Sequence, residues 1–292
     1  HPKEWGLHND MVPLEDIGAH PVVAPDFCNP DPASIKFPDE PIASEGLSRF
    51  LTFALENHPA DRYMLIVYGH GTAVAGNTFL ADSNPASFLR LDDFAKVLKR
   101  HFGGANKQKL DILACDNCVM NGIETAYQVR EQVDYMLGSQ GLMLAVGWPF
   151  QKIIAEVVKA VKGNSPVKPQ LIARIVLKVC AGGLIDFSFM DRSSEQAVCD
   201  LTRFGHPDNI VTAIRRLAIK LQEGLKFDDE GVLCHPQISD AVRLARLQAQ
   251  SYWNEMFVDL YDFCELLLIE CNKAIGQPVR MFFDIQEELL NL

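Results

Sequence analysis

The chain has 292 residues, 48 % of them hydrophobic and 22 % charged, with a formal net charge of −11. This suits one large α/β domain, or a core with an appended helical region, that buries a substantial interior. The acidic balance excludes nucleic acid and anionic membrane as expected partners, because phosphate recognition needs a basic footprint.

Residues 12–42 are rich in Pro and Asp without a sustained period and read as loop. Over residues 45–56, Leu47, Phe50, Leu51, Ala54 and Leu55 fall on one helical face. Residues 63–68 predict a buried strand ended by Gly69, and Gly76, Asn77, Ser83, Asn84 and Pro85 predict a loop after it. A helix over residues 91–101 stops at Gly103-Gly104. Residues 110–114 predict a second short strand, with a helix close behind it running to residue 133. Residues 135–137 and 142–146 predict further short strands. Such alternation favours a mostly parallel sheet flanked by helices.

Beyond Gln151 the pattern predicts helices over 151–161, 169–181, 209–223, 237–250, 254–274 and 282–291. The expected organisation is therefore an α/β catalytic core over 1–150 and a mostly helical part over 151–292. No stretch has the uninterrupted apolar length of a membrane span. Residues 1–10 are polar and carry no visible signal peptide, although the chain lacks an initiator Met, which leaves room for a removed leader. Eight cysteines are too few for a disulfide scaffold. Cys180, Cys264 and Cys271 lie in apolar helical contexts, as buried reduced thiols do, which favours a reducing, cytoplasmic setting.

In a parallel α/β sheet, reactive groups collect beyond the carboxyl ends of the strands. Two predicted strand ends carry them: Gly69-His70-Gly71 and Cys115-Asp116-Asn117-Cys118. A thiol becomes a useful nucleophile near a His or a helix N-terminus, and Cys118 stands where strand gives way to helix. The glycines beside His70 let a peptide backbone approach, and the Gly71 amide is a candidate oxyanion donor. Each residue also has a plainer reading: His70 as an idle strand-end side chain, Cys115 and Cys118 as packed thiols, Asp116 as a cap for the next helix. The Cys-x-x-Cys spacing is further compatible with a thiol–disulfide redox site. As half of a zinc site it lacks a second Cys-x-x-Cys, so no metal is expected.

The run Leu113-Ala114-Cys115-Asp116-Asn117-Cys118-Val119-Met120, with Glu124, Ala126 and Tyr127, resembles the clostripain-like cysteine peptidases, as does the apolar strand ending in Gly69-His70-Gly71. Ser139, the Gly147-Trp148-Pro149-Phe150 stretch and residues 258–263 are similar to further family motifs, and residues 1–5 to the family's Trp-containing opening strand. The resemblance implies a caspase-haemoglobinase-like fold and a Cys118–His70 dyad without an obligatory third carboxylate. It further implies oxyanion donors at Gly71 and Cys118, and an acyl-thioester intermediate on a peptide or protein substrate. Arg or Lys before the cut is the implied preference, with Asp116, Ser139 and Trp148 at the substrate. Pro149 stands where some relatives carry another acid. Self-cleavage between the His and Cys strands is also implied, with Arg90 as its candidate site. Some relatives depend on calcium, but no acidic loop here has suitable ligand spacing, so no cofactor is expected. Two other function classes remain open: a catalytically idle caspase-like binding module, and an oxidoreductase using Cys115 and Cys118.

Overall fold

The computed structural model describes residues 43–72, 78–83, 86–104, 107–143, 147–163, 166–185, 195–205, 210–252, 257–273 and 280–290. The chain divides into two compact units, with the boundary between Leu201 and Thr202. The opening strand expected near residues 1–5 and the loop over 12–42 lie outside the described residues.

In the first unit, helix α1 (Ala43–Asn57) precedes strand β1 (Met64–Tyr68). Strand β4 (Leu110–Asp116) lies between β1 and β5 (Val133–Gly138), parallel to both, and β6 (Ala197–Asp200) closes the sheet antiparallel to β5. All seven residues of β4 are buried, as expected of a parallel strand covered on both faces. The sheet is thus mixed and mostly parallel.

Alternation along β4 decides which residues face which layer. Ile112 and Ala114, with Tyr135 and Leu137 of β5, form one core with Trp148, Ile153, Ala173, Val176 and Cys180. The last four come from helices α4 (Phe150–Gly163) and α5 (Pro169–Ile185). Helices α2 (Leu91–His101) and α3 (Ile123–Val129) pack on each other and bury Phe94, Leu98, Ala126 and Val129.

Two expectations are corrected here. The segment after β1 contains an antiparallel hairpin of β2 (Thr78–Ser83) and β3 (Ala86–Arg90), where turn residues had pointed to loop. Phe79 anchors it by stacking on Phe94, with ring centroids 3.8 Å apart. The first unit also does not end at residue 150. Helices α4 and α5 cover the sheet and β6 completes it, so the sheet's hydrophobic face cannot be buried by residues up to 150 alone.

The second unit holds helices α6 (Ile210–Gly224), α7 (Pro236–Gln248), α8 (Leu260–Lys273) and α9 (Arg280–Leu290). Helical spacing builds its core: Ile238, Ala241 and Ala245 line α7, Cys264, Leu267 and Cys271 line α8, and Ile285 and Leu289 line α9. Helix α8 starts at Leu260, later than its apolar pattern suggests. A short antiparallel pair, β7 (Ser251–Tyr252) and β8 (Phe257–Val258), occupies the residues before it. Asp259 then accepts the Asp262 N–H at 2.9 Å, a helix N-cap bond. No described helix is long and apolar enough to cross a membrane.

Candidate active site

Neighbouring parallel strands deliver both candidate residues to one rim. Val67 pairs with Cys115 and Tyr68 with Asp116, and the Gly69 N–H donates to the Asp116 carbonyl at 3.3 Å. His70 lies two residues beyond Tyr68 and Cys118 two beyond Asp116, so both leave the carboxyl ends of adjacent strands at the same level. Adjacent strands stand about 4.8 Å apart. His70 is exposed and Cys118 is half-buried.

The two turns touch. A β-carbon on buried Gly71 would stand 2.9 Å from both Asn117 Nδ2 and Met120 Sδ, and 3.1 Å from the Phe79 carbonyl. Only glycine fits between the cysteine turn and the hairpin. Asn117 Nδ2 also donates to the Phe79 carbonyl at 2.9 Å, which ties β2 to the same turn. The Cys118 Sγ accepts the Met143 N–H at 3.2 Å.

Helix α3 begins only at Ile123, so Cys118 does not stand at its N-terminus as expected. The intervening turn is irregular. Val119 has φ of +59°, a left-handed conformation that costs a β-branched residue roughly 1–3 kcal/mol and persists where surrounding bonds over-determine it. Those bonds run to the turn after β5: the Val119 N–H donates to the Gly141 carbonyl and the Asn121 N–H to the Ser139 carbonyl, both at 2.9 Å. Ser139 is fully buried, and its hydroxyl lies 3.1 Å from the Gly141 carbonyl and from Glu195 Oε1.

Asp116 is 3 % exposed, and its Oδ2 accepts the Trp148 N–H at 2.9 Å. It therefore does not serve as the cap of α3, whose N-cap Gly122 has no side-chain bond. Burial pushes its carboxyl up to about 6, against the opposing pull of the Trp148 N–H. Trp148 is buried in the core beneath α4 and α5. Cys115 is fully buried, and burial, with the Asp116 charge behind it, pushes its thiol up to about 12. Burial, with the Asp116 charge second, likewise pushes the Cys180 thiol up to about 12. Arg90, the last residue of β3, is exposed, with Nε 3.1 Å from Asp92 Oδ1. Among the described residues no group of three or more His, Cys, Asp or Glu could hold a metal ion.

Sequence reasoning missed Glu195, Met143, Asn117 and Asn121. Met143 falls within the expected strand over 142–146 and Glu195 in a stretch without periodicity, Asn117 stands as an insert between Cys115 and Cys118, and Asn121 carries no local signal. A buried amide next to a reactive residue is the signal that points to Asn117.

The model described as the clostripain family matches residues 40–200 of this chain. Clostripain of Hathewaya histolytica is 28 % identical in a match covering 37 % of this chain and 23 % of that protein. Similar solved structures include a secreted C11 cysteine protease from Bacteroides thetaiotaomicron bound to an irreversible peptide inhibitor. It is 16 % identical with a TM-score of 0.48, over 84 % of this chain and 60 % of that one. Another is an inactive zymogen C11 protease from Parabacteroides distasonis, 18 % identical with a TM-score of 0.46, over 84 % of this chain and 58 % of that one. The chain thus spans less than two thirds of the length of each of these relatives.

Proposed function

This chain belongs to the clostripain family, and from that premise we propose that it is a cysteine endopeptidase whose nucleophile is Cys118 and whose base is His70. The observation that carries the reading is the register of β1 and β4, which brings Gly69-His70-Gly71 and the Cys118 turn to one rim, together with the close seat of Gly71 on Asn117 and Met120.

The chemistry follows from the groups at that rim. The Cys118 thiol gives its proton to His70, and the thiolate attacks the carbonyl carbon of the scissile peptide. The carbonyl oxygen becomes an oxyanion, for which the Gly71 and Cys118 amides are the donors. His70 then protonates the leaving amine as the C–N bond breaks, which leaves an acyl-thioester on Cys118. A water gives a proton to His70 and attacks the thioester, the C–S bond breaks, and the free thiol returns. Asp116, ionised above about pH 6, is the group we assign to an Arg or Lys before the cut, through charge-assisted bonds. Arg90 is our candidate self-cleavage residue. Its exposed side chain supports this, although its backbone pairs with Thr78, so the strand must peel away before a cut before Leu91.

The test is a positional-scanning peptide library assayed with the unsubstituted chain, Cys118→Ala and His70→Ala. Turnover lost in both variants, with Arg or Lys selected before the cut, is the expected result. Turnover that survives Cys118→Ala overturns the assignment. A thiol–disulfide role is the weaker reading, since its second thiol, Cys115, is fully buried and held near 12. Iodoacetamide labelling separates an idle binding module from a live dyad, which gives one hyper-reactive cysteine that depends on His70.

A further inference from the structure

We propose that Glu195, just before the edge strand β6, is a positioning residue that holds the nucleophile's turn in its strained, oxyanion-binding shape; this rests on the peptidase reading above. One carboxylate oxygen, Oε1, gathers three donors from the turn after β5. They are the Gln140 N–H at 2.5 Å, the Gly141 N–H at 2.7 Å and the Ser139 hydroxyl at 3.1 Å. The Ser139 hydroxyl shares its proton between Glu195 and the Gly141 carbonyl, also 3.1 Å away, and the carbonyls of the same turn reach the cysteine turn. The Gly141 carbonyl takes the Val119 N–H and the Ser139 carbonyl takes the Asn121 N–H, each at 2.9 Å. Asn121 Nδ2 also reaches the Ala197 carbonyl of β6 at 3.2 Å.

The chain of bonds therefore runs from Glu195 through residues 139–141 to the two amides that bracket the left-handed Val119, one residue after Cys118. Helix α3 starts too late to order this turn and no side chain caps it. A strained turn without support from its own helix depends on tertiary bonds, and the carboxylate at 195 is their origin. Hydrogen bonds to an ionised acceptor are the stronger kind. Glu195 touches neither substrate nor the reacting atoms in this scheme. It acts through the 139–141 turn.

The experiment compares Glu195→Ala, Glu195→Gln and Ser139→Ala with the unsubstituted chain in two reactions of the same sulfur. One is hydrolysis of a peptide amide, which needs the oxyanion amides. The other is alkylation of Cys118 by iodoacetamide, which forms no oxyanion. Displacing the turn by a fraction of an ångström to one ångström lowers kcat for Glu195→Ala by about 10- to 100-fold, with KM changed less than about threefold. Its alkylation rate stays within about threefold. The Gln variant keeps a carbonyl oxygen for the three donors and retains most of kcat, and Ser139→Ala falls between. The proposal is overturned if Glu195→Ala keeps kcat within about threefold. It is equally overturned if hydrolysis and alkylation fall together in Glu195→Ala and Ser139→Ala, the mark of general disorder. If Glu195→Ala does not fold, a Gln variant as poor in kcat as Cys118→Ala would overturn it too. An unsubstituted chain without Cys118-dependent hydrolysis sinks the peptidase reading and this inference with it, which a failure confined to the Glu195 variants does not.

Discussion

Replacing Asp116 by Asn removes a carboxyl that the fold holds in an unfavourable state when ionised. Its folded value of about 6 lies above the ordinary 3.8, so the folded chain binds the proton more tightly than the unfolded one. The sign follows from linkage: the stability due to this group is fully present below about pH 4 and is lost as pH rises through 6. A difference of about two units corresponds to about 3 kcal/mol in all, of which about 2 kcal/mol develops between pH 4.5 and 8. Asn keeps an oxygen for the Trp148 N–H, so the variant should gain about that much stability relative to the unsubstituted chain between pH 4.5 and 8. Urea unfolding at the two pH values measures it.

The same ionisation should be visible in substrate choice. The ratio of kcat/KM for peptides with Arg against citrulline before the cut cancels the titration of the dyad, because both substrates share it. The ratio should rise about tenfold between pH 5 and 7 and level off above that, since kcat/KM reports the free enzyme. In Asp116→Asn it should be low and flat. A pH-independent stability difference between the two proteins, with an unchanged ratio in the variant, would refute both the buried charge and its assignment to the substrate cation.

Gly71→Ala places a methyl 2.9 Å from Asn117 Nδ2 and Met120 Sδ, so we expect a loss of about 1–3 kcal/mol in thermal unfolding and a fall in kcat of at least tenfold. Phe79→Ala removes a fully buried ring stacked on Phe94 and should lower stability by about 3–5 kcal/mol in urea, loosening the Phe79 carbonyl that Asn117 holds. Cys115→Ala should leave peptide hydrolysis within about threefold and iodoacetamide labelling of Cys118 unchanged. A redox pair would lose all activity in insulin reduction.

Where the sequence carries a strong period, its reading matches the structure. The apolar runs of β1 and β4 and the one-sided faces of α1, α2 and α6 are visible because one or two buried faces dictate residue type at each position. The pairing of their carboxyl ends also follows from strand–helix–strand order. The hairpin of β2 and β3 escaped because its strands are short and flank Asn84-Pro85, so turn chemistry dominates the local signal. Strand β6 has four half-buried residues and no alternation; only its partner β5 makes it a strand. The family motif singled out Asp116, but its bond to the Trp148 N–H joins residues far apart in sequence and has no local signature. Glu195 has none either: its three donors lie more than fifty residues upstream.

These observations change what holds the proposed nucleophile, Cys118. A strand followed at once by a helix would fix a cysteine through local geometry and through the helix's own amides. Here six residues separate the end of β4 from α3, and the turn is set by bonds to the hairpin on one side and to the β5 turn on the other. Both supports are remote in sequence, and one begins at the edge strand that closes the sheet. The Cys118 turn therefore depends on β5, β6 and the hairpin together for its shape. Damage to any one of them, however far from Cys118, should reduce turnover before it unfolds the first unit. Kinetic loss without global unfolding is thus the signature that separates a braced turn from a helix-fixed one.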